Sequence, residues 1–365
     1  MKKFWKIAIL AVMAVICACG LLACGDDGSN GGKSGLQYKK YGQDEFYTVY
    51  DYIAEDGVKK LDLGEYNKNG VVIGRILDGA FDGNDSLTEL IIPTTVTKID
   101  QGAFKGMRKL EKLTVPFIGL NAIADASYND QASTEKAIDL ERTFGHFFGS
   151  EEYNYSVSYT QKFNAGDSDT AVRYIPMSLK EVSVVPANDY NIPMFAFSGN
   201  NILEKVVTDA KVKQIGENAF ENCTRLNSVT IDGVTKIHKN AFKGATALKT
   251  VSITAVTEIG DSAFQGSGIK EVSLLATVTY GENVYRDCKS LTQATVNIAS
   301  VPYGTFYGCV NLVTVNANVS VVFGNYSLAH LSETKTCAIV KATGVTVTYM
   351  DLAKDGSLNV TEQNA

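Results

Sequence analysis

The 365-residue sequence predicts a β-rich α/β solenoid, and three observations carry this prediction. The first is a short motif, Ala-Phe or a close variant, which returns every 21 to 23 residues outside one interruption. The second is a set of apolar positions at fixed distances after each aromatic, and the third is an apolar pair before it. A period of this length is typical of one supersecondary unit that is stacked on copies of itself.

Eight copies of the motif anchor the repeats. They are Ala80-Phe81, Ala103-Phe104, Ala196-Phe197, Ala219-Phe220, Ala241-Phe242, Ala263-Phe264, Val284-Tyr285 and Thr305-Phe306. The turn that contains each aromatic usually ends in Gly or Asn, which accept a left-handed backbone at the end of a helical turn. We therefore expect each coil to run through a strand, a bend, a short helical turn and a second bend.

The strand of each coil is predicted from apolar residues six, nine and eleven places after the aromatic. In one copy these are Leu226, Val229 and Ile231, and the last two alternate with polar residues as in a strand with one buried face. A second apolar pair, such as Val212 and Ile215, lies eight and five places before the aromatic. Each coil therefore has two apolar edges, which only its neighbours in the stack can bury.

The residues from 215 to 231 carry a family resemblance. They read Ile-Gly-Glu-Asn-Ala-Phe-Glu-Asn-Cys-Thr-Arg-Leu-Asn-Ser-Val-Thr-Ile. This segment resembles the BspA-type leucine-rich repeat, Ile-Gly-x-x-Ala-Phe-x-x-Cys-x-x-Leu-x-x-Val-x-Ile, and the resemblance covers residues 71–323 in about nine coils. It implies a right-handed leucine-rich-repeat solenoid with a parallel β-sheet and terminal caps. It also implies a bacterial surface protein of a kind often associated with adhesion to host proteins.

The amino terminus predicts export. Three lysines precede an apolar run over residues 7–23, which suits a signal peptide better than a bilayer span of about twenty residues. Leu21-Leu22-Ala23-Cys24 resembles a lipobox, which implies a lipoprotein signal peptide over residues 1–23 and a membrane anchor attached to Cys24. Ile16-Cys17-Ala18-Cys19 is a competing box, and an uncleaved membrane anchor is the alternative.

The segments that flank the repeats are predicted to be a tether and two caps. Residues 24–35 are rich in Gly, Ser and Asp and suit a flexible tether. Residues 36–70 lack the anchor motif but contain two strand-like runs, so we expect an amino-terminal cap. Residues 324–365 are predicted as a carboxyl-terminal cap and tail, with closing strands at 338–340 and 345–349 and a frayed end.

Charge and composition exclude several classes of function. Residues 1–23 hold three Lys and no acidic residue, so their removal changes the net charge from −6 to −9. An acidic chain without a cluster of Lys and Arg is not expected to bind nucleic acid or an anionic lipid surface. His146, His238 and His330 are isolated from any nucleophile motif, and the Asp-containing loops at 167–169 and 355–356 lack a calcium-loop pattern. We expect neither an enzyme nor a bound cofactor or metal.

Three cysteines recur at one position of the repeat. Cys223, Cys288 and Cys309 each follow an anchor aromatic by three residues, where other coils place residues such as Ala245 or Met107. A position that accepts Ala, Met and Cys is read as a small buried site. A disulfide between Cys288 and Cys309 is the alternative, and parallel side-chain directions in neighbouring coils oppose it.

The interruption between Phe104 and Phe197 predicts two insertions in longer coils. Residues 119–143 contain a helix-compatible stretch near 134–142, and residues 150–173 alternate like a projecting hairpin. Long excursions from a regular scaffold tend to lie at the surface and carry function. The candidate contact patch on the hairpin consists of Tyr153, Tyr155, Tyr159 and Phe163. The alternative is that one aromatic face of the hairpin folds back over the adjacent coils and covers the core.

The outward side of the main sheet is a second candidate surface. Its central column is predicted to be Ile91, Thr114, Ser183, Val207, Thr230, Ser252, Ser273, Thr295 and Asn316. Six of these nine residues carry a hydroxyl group, and four of them, Thr230, Ser252, Ser273 and Thr295, are candidate protein-binding residues. A broad polar surface suits a protein partner, whereas small molecules favour apolar pockets. The alternative is that Ser and Thr merely tolerate an exposed strand.

These observations favour a non-catalytic adhesion or recognition protein whose partner is an extracellular or host protein. Glycan capture is an alternative, although sugar stacking favours Trp and the only Trp lies in the signal segment. A passive surface spacer without a specific ligand is the third hypothesis.

Overall fold

The computed structural model describes residues 34–121, 140–164, 168–329, 331, 336–350 and 360–364. Within these ranges two short 3-10 helices span Leu63–Tyr66 and Phe144–Phe147. The strands in chain order are β1 (Gly35–Lys40), β2 (Tyr47–Ile53), β3 (Lys60–Asp62), β4 (Ile73–Ile76), β5 (Glu89–Ile91), β6 (Lys98–Ile99), β7 (Lys112–Val115), β8 (Ser156–Lys162), β9 (Thr170–Pro176), β10 (Glu181–Val184), β11 (Tyr190–Ile192), β12 (Lys205–Thr208), β13 (Val212–Ile215), β14 (Ser228–Thr230), β15 (Lys236–Ile237), β16 (Glu258–Ile259), β17 (Glu271–Leu274), β18 (Thr279–Tyr280), β19 (Gln293–Val296), β20 (Ser300–Val301), β21 (Thr314–Ala317), β22 (Val321–Phe323), β23 (Cys337–Lys341), β24 (Val347–Tyr349) and β25 (Val360–Asn364).

The main sheet is parallel and consists of one strand from each coil. It has a six-stranded part, β14-β12-β10-β7-β5-β3, and a five-stranded part, β17-β19-β21-β23-β25. The coil between the two parts contributes residues 250–253, which do not form a strand. The chain thus makes about 12 turns of a β-solenoid, in which the ladder hydrogen bonds run from coil to coil along the stack.

A second edge of the coils also forms sheets, which are parallel except that β1 pairs with β2 antiparallel. Their strand orders are β1-β2-β4-β6, β11-β13-β15-β16-β18 and β20-β22-β24. The predicted apolar pair Val212 and Ile215 lies on β13, and both side chains are fully buried. The structure therefore confirms two buried edges in each coil.

The anchor aromatics stack into a continuous column through the core. The ring centroids of Phe197 and Phe220 are 4.9 Å apart, those of Phe220 and Phe242 are 5.1 Å apart, and those of Phe242 and Phe264 are 5.3 Å apart. The column continues through Tyr285, whose ring lies 5.6 Å from that of Phe264. All five side chains are buried, as the periodicity predicts.

The predicted helical turns are minor: in one anchor turn the N–H of Cys223 donates to the carbonyl of Phe220, three residues back, at 3.2 Å. The backbone N–H of Phe220 donates to the carbonyl of Ala241 in the next coil at 2.7 Å, and Phe242 donates to Ala263 at 2.7 Å. Alternate N–H groups of the turn thus bond to the neighbouring coil, and a longer helix cannot form because its N–H groups would all have to bond within the coil. The predicted left-handed residues are present, since Asn222 has a φ of 58° and Gly244 a φ of 73°.

The stack is longer than the nine anchored coils. Strand β3 pairs with β5 ahead of the first anchor, and β23 and β25 continue the main sheet beyond the last one. The predicted closing strands at 338–340 and 345–349 are present as β23 and β24, and they lie in different sheets, since β23 joins β21 whereas β24 joins β22. Residues 360–364 form β25 where a frayed end was expected.

The described residues of the interrupted region form an anchored coil and a hairpin. The N–H of Phe104 donates to the carbonyl of Phe147 at 2.9 Å, which gives Phe148 the place of the anchor aromatic. Strands β8 and β9 form the predicted antiparallel hairpin. Of the predicted helix near 134–142, residues 134–139 lie outside the described residues. Among the residues that the structure describes, helices with the length and hydropathy of a membrane span are absent.

Candidate functional site

The inner face of the β8–β9 hairpin packs onto the solenoid. Tyr159 is 4% exposed, and its hydroxyl donates to Oε1 of Gln161 at 2.6 Å. The amide of Gln161 donates to the carbonyls of Phe195 and Ser198, both at 2.9 Å. The carbonyl of Thr160 lies so close to Gly199 that a Cβ at this position would collide with it. The hairpin is therefore fixed to the neighbouring coil by buried polar contacts.

Most of the predicted aromatic patch is buried or half-buried. Desolvation raises the pKa of the Tyr159 and Tyr153 hydroxyls, because their charged forms would be buried. Tyr153 and Phe163 are half-buried. The prediction of exposure is therefore wrong for Tyr159. This residue lies on the face of the hairpin that covers the core. Only Tyr155 among the four candidates is largely exposed.

Tyr155 forms an exposed knob with two residues that sequence reasoning missed. Its side chain is 70% exposed, and that of Met177 is 55% exposed. The N–H of Met177 donates to the carbonyl of Tyr155 at 3.0 Å, and the guanidinium of Arg108 lies 5.9 Å from the tyrosine ring centroid. We call these three residues the Tyr155 knob. The hairpin register, which pairs Ser156 with Pro176, places Tyr155 opposite Met177 and could have indicated this neighbour from the sequence.

The backbone of Tyr155 is left-handed, with a φ of 64°. This conformation is rare for a bulky residue and costs about 1–3 kcal/mol. Arg108 is itself held by Asp85, with 2.6 Å between Nη2 and Oδ2. The knob is thus a strained, exposed aromatic beside a fixed cation.

The predicted hydroxyl column is present but divided. Strand register aligns Val207 with Thr230 in the six-stranded part and Ser273 with Thr295 in the five-stranded part. Ser252 is exposed but lies in the segment that forms no strand. The predicted column therefore consists of two pieces, which the segment at residues 250–253 separates.

Mixed charges beside this column pair across neighbouring coils. Glu204 lies 3.4 Å from Lys180 and 3.1 Å from Arg225, and Glu181 lies 3.2 Å from Lys205. These side chains are partly exposed, so each pair contributes about 0–1 kcal/mol.

The cysteines of the repeat are free and buried. Each thiol donates to the carbonyl of the anchor aromatic in the preceding coil: Cys223 to Phe197 at 3.1 Å, Cys288 to Phe264 at 3.1 Å and Cys309 to Tyr285 at 3.0 Å. Burial raises the pKa of Cys288 to about 11, which keeps the thiol protonated. The prediction of a small buried position is therefore confirmed for these three cysteines. Cys288 and Cys309 are not bonded to each other.

The histidines considered as candidate functional residues make contacts of a structural kind. His146 is buried with Nε2 3.1 Å from the carbonyl of Ile99, and desolvation lowers its pKa to about 4. Nε2 of His238 lies 2.7 Å from Oε1 of Gln214. No group of three or more potential metal-binding side chains occurs in the described part of the chain. Cys24, His330 and Asp167 lie outside the described residues.

Stacked coils with an internal aromatic column and a parallel sheet define a leucine-rich-repeat solenoid. A model of the BspA-type leucine-rich repeat region matches residues 72–157, 174–292 and 232–335 in six copies. The chain belongs to the BspA-type leucine-rich repeat family. No curated protein sequence matches the chain.

Solved structures with a similar chain come from several bacteria. A leucine-rich repeat protein from Bacteroides ovatus ATCC 8483 is 18% identical, with a TM-score of 0.38 over 92% of this chain and 91% of that chain. A leucine-rich cell surface protein from Faecalibacterium prausnitzii A2-165 is 16% identical, with a TM-score of 0.29 over 88% of this chain and 94% of that chain.

Proposed function

We propose that the protein is a non-catalytic recognition or adhesion protein of the bacterial cell surface that binds a protein partner through the Tyr155 knob. The observation that carries the proposal is the exposed Tyr155 ring on a left-handed backbone. Strained backbone of this kind concentrates at functional positions. Tyr, Met and Arg are also the residue types enriched at the centres of protein interfaces.

The hydroxyl column is proposed as a secondary contact surface. Thr230, Ser273 and Thr295 lie outward on paired strands, and Ser252 is exposed between the two parts of the sheet. Their short side chains expose a flat polar area that a partner can cover with little loss of side-chain entropy. We expect single Ala substitutions here to weaken binding less than changes in the Tyr155 knob do.

A lipid anchor on Cys24 is the proposed means of attachment. The apolar run over residues 7–23 and the Cys that follows it support this attachment. The test is metabolic labelling of the protein with an acyl-chain analogue in cells. Labelling should be lost in Cys24→Ser and kept in Cys19→Ser. The reverse result would assign the anchor to the competing box.

The proposed partner class is tested by binding the purified protein to immobilised extracellular-matrix proteins and to a glycan array. We expect saturable binding to one or more proteins, and at least a tenfold loss of affinity in Tyr155→Ala and Met177→Ala. The matched control is Tyr326→Ala, since Tyr326 is also left-handed, with a φ of 56°, and exposed.

Three results would overturn this proposal. Equal protein binding by Tyr155→Ala would remove the knob as the site. Binding to glycans alone would assign a sugar ligand. Absence of binding both to the immobilised proteins and to the glycan array would favour a passive spacer.

A further inference from the structure

Arg173 is a buried cation on the inner face of the hairpin. It lies on β9 opposite Tyr159 of β8, and it is only 2% exposed. The adjacent Val172 is 48% exposed, so strand alternation turns the Arg173 side chain towards the solenoid. Its stem packs on the short helix at residues 144–147, because a Cβ on Gly145 would collide with Cγ of Arg173. The position of the side chain is thus fixed by packing.

The guanidinium of Arg173 has no partner. Within the described residues it makes no hydrogen bond, ion pair or contact with a ring face. Its Nε is completely enclosed, whereas the two terminal nitrogens are not, so the exposure that Arg173 retains includes its tip. Arginine carries five N–H donors and stays charged, which makes a buried, unpaired guanidinium strongly unfavourable.

No carboxylate among the described residues neutralises this charge. Desolvation lowers the pKa of Arg173, and the group that opposes the shift is the hydroxyl of Tyr159. Four less buried arginines each contact a carboxylate, and these are Arg75, Arg108, Arg225 and Arg286. The arginine that burial makes most dependent on a counterion therefore lacks one.

A second unpartnered donor lies beside Tyr159. Oδ1 of Asn200 accepts from the N–H groups of Ile202 and Leu203, both at 3.0 Å, which turns Nδ2 away from them. Asn200 is fully buried, and its Nδ2 has no hydrogen-bond partner. Desolvation raises the pKa of Tyr159, whereas the charge of Arg173 and the amide of Asn200 act in the opposite direction. Both donors therefore lie near the Tyr159 hydroxyl.

The hydroxyl of Tyr159 does not satisfy these donors. It donates its proton to Oε1 of Gln161 at 2.6 Å, and burial keeps it neutral by raising its pKa. Neither Nε of Arg173 nor Nδ2 of Asn200 forms a hydrogen bond with it. The surroundings of Tyr159 thus combine buried N–H donors with a positive charge that no described carboxylate balances.

A set of donors around an unbalanced positive charge is complementary to an anion. From these features we infer that Arg173 and Asn200 form a binding site for one small monovalent anion, chloride. Nε and the tip of Arg173 donate to the ion, as does Nδ2 of Asn200, in charge-assisted hydrogen bonds. One negative charge balances the guanidinium, whereas a phosphate or sulfate would leave excess negative charge in a buried place.

The bound ion joins the hairpin to the neighbouring coil. Arg173 belongs to β9, whereas Asn200 directly follows the anchor turn of that coil. Because the site exists only in the folded protein, chloride stabilises the fold in proportion to its occupancy. The inference is independent of the proposed function, since it concerns the buried face of the hairpin and not the Tyr155 knob.

Urea unfolding at constant ionic strength tests the site with chloride itself as the probe. Sodium gluconate, whose anion is too large to enter, is replaced stepwise by sodium chloride. We expect the unfolding equilibrium constant of the natural protein to fall about tenfold at about 200 mM chloride, as for a dissociation constant of about 20 mM. Chlorine-35 NMR gives a direct readout, because exchange of the ion with a protein site broadens its line.

Arg173→Met removes the charge and keeps most of the volume of the side chain. Arg225→Met is the matched control, since Arg225 is exposed and pairs with Glu204 at the surface. Chloride should neither stabilise Arg173→Met nor show a broadened line with it, whereas Arg225→Met should respond like the natural protein. Equal chloride dependence in the natural protein and Arg173→Met would overturn the inference.

Asn200→Asp supplies the missing negative charge and keeps the acceptor for the backbone N–H groups. We expect this variant to be insensitive to chloride. Asn84→Asp is the matched control, because Asn84 also accepts from a backbone N–H three residues on and also has an unpartnered Nδ2. Arg173 is the one buried arginine of the described residues, so Asn84→Asp should keep the chloride response.

Should Arg173→Met fail to fold by circular dichroism, Asn200→Asp and the chlorine-35 line of the natural protein decide the question. Absence of a chloride effect on the natural protein, both in stability and in line width, would overturn the inference. An undiminished chloride response in Asn200→Asp would do the same. Stabilisation by sodium formate and not by sodium chloride would assign the site to a carboxylate group instead. Tyr155-dependent binding to immobilised proteins is measured separately, so the two proposals fail independently.

Discussion

Phe242 shows how a single residue holds neighbouring coils together. Its ring is fully buried and lies nearly parallel to those of Phe220 and Phe264, at interplanar angles of 2° and 3°. Stacked rings in a column lose contacts on both faces when one is removed. A substitution here therefore acts on three coils at once.

We predict that Phe242→Ala lowers the free energy of unfolding by about 4 kcal/mol, because it removes a buried ring and leaves a cavity. Urea denaturation followed by circular dichroism measures the change. Tyr155→Ala serves as the control, and at this exposed site the change should stay within about 0.5 kcal/mol. Similar losses in the two variants would contradict the aromatic column as the main source of stability between coils.

His146 makes the stability depend on pH. Desolvation lowers its folded-state pKa to about 4 from the ordinary value of 6.5, so the unfolded chain binds the proton more tightly. The stability from the neutral imidazole is complete above pH 6.5 and is lost as the pH falls towards 4. The loss is on the order of 3 kcal/mol.

The comparison with His146→Gln isolates this effect, because Gln can donate to the Ile99 carbonyl without titrating. The free energy of unfolding is measured between pH 4 and 7 for both proteins. The natural protein should lose more stability than the variant over this range. Parallel pH profiles would show that His146 does not carry the effect.

At the scale of elements, the hairpin is part of the folded body rather than a free projection. Its alternation was visible in the sequence, but alternation alone defines two faces without saying which one packs. The buried Gln161 decides it, since its amide reaches two carbonyls of the neighbouring coil. A polar residue that is buried by hydrogen bonds to a distant backbone has no signature in a hydrophobic pattern.

Gln161→Ala is expected to lower the free energy of unfolding by about 3 kcal/mol. The change leaves the carbonyls of Phe195 and Ser198 and the hydroxyl of Tyr159 without their buried partner. Urea denaturation again provides the measurement. Thr160→Ala, on the exposed face of the same strand, should change stability by less than about 0.5 kcal/mol. A neutral Gln161→Ala would contradict the packed position of the hairpin.

The break in the main sheet at residues 250–253 was not predicted either. Val251 and Ile253 keep the apolar spacing of the other coils, so the pattern predicts a strand there. The shortened spacing of Ile269 was visible, since it follows its anchor by five residues where Leu248 follows by six. Periodicity cannot tell, however, whether a coil absorbs a missing residue in its turn or in its strand. For the same reason the sequence predicted a single hydroxyl stripe.

On the scale of the whole molecule, the repeat period predicted the architecture and underestimated its length. Each anchored coil repeats the same contacts, so the pattern reports them many times over. The Ala-Phe motif is absent ahead of β3, although the ring of Tyr52 stacks on that of Phe81 with 5.8 Å between centroids. Strands β23 and β25 join the stack through backbone hydrogen bonds that any sequence can make. Terminal repeats are commonly atypical in this way.

A stack in which each coil contacts only its neighbours should tolerate the loss of one whole period. We predict that a chain lacking residues 285–305, which joins Val284 to Phe306, folds with β17 paired to β21. Far-UV circular dichroism per residue should match that of the natural protein, and unfolding should remain cooperative. Deletion of residues 285–295 is the control, because the remaining half-coil is out of register and should prevent folding of the carboxyl-terminal part. Equal behaviour of the two deletions would contradict nearest-neighbour stacking.

The direction of the ladder hydrogen bonds has a mechanical consequence. A stretching force applied between the amino terminus and a partner bound further along the stack acts along these hydrogen bonds. It therefore loads the contacts between successive coils one after another. Segment 250–253 contributes no such bond to its neighbours, so the coils around it should yield first. Under load the protein would then lengthen at this joint before the flanking blocks give way, which an optical trap would record as an early, small step in extension.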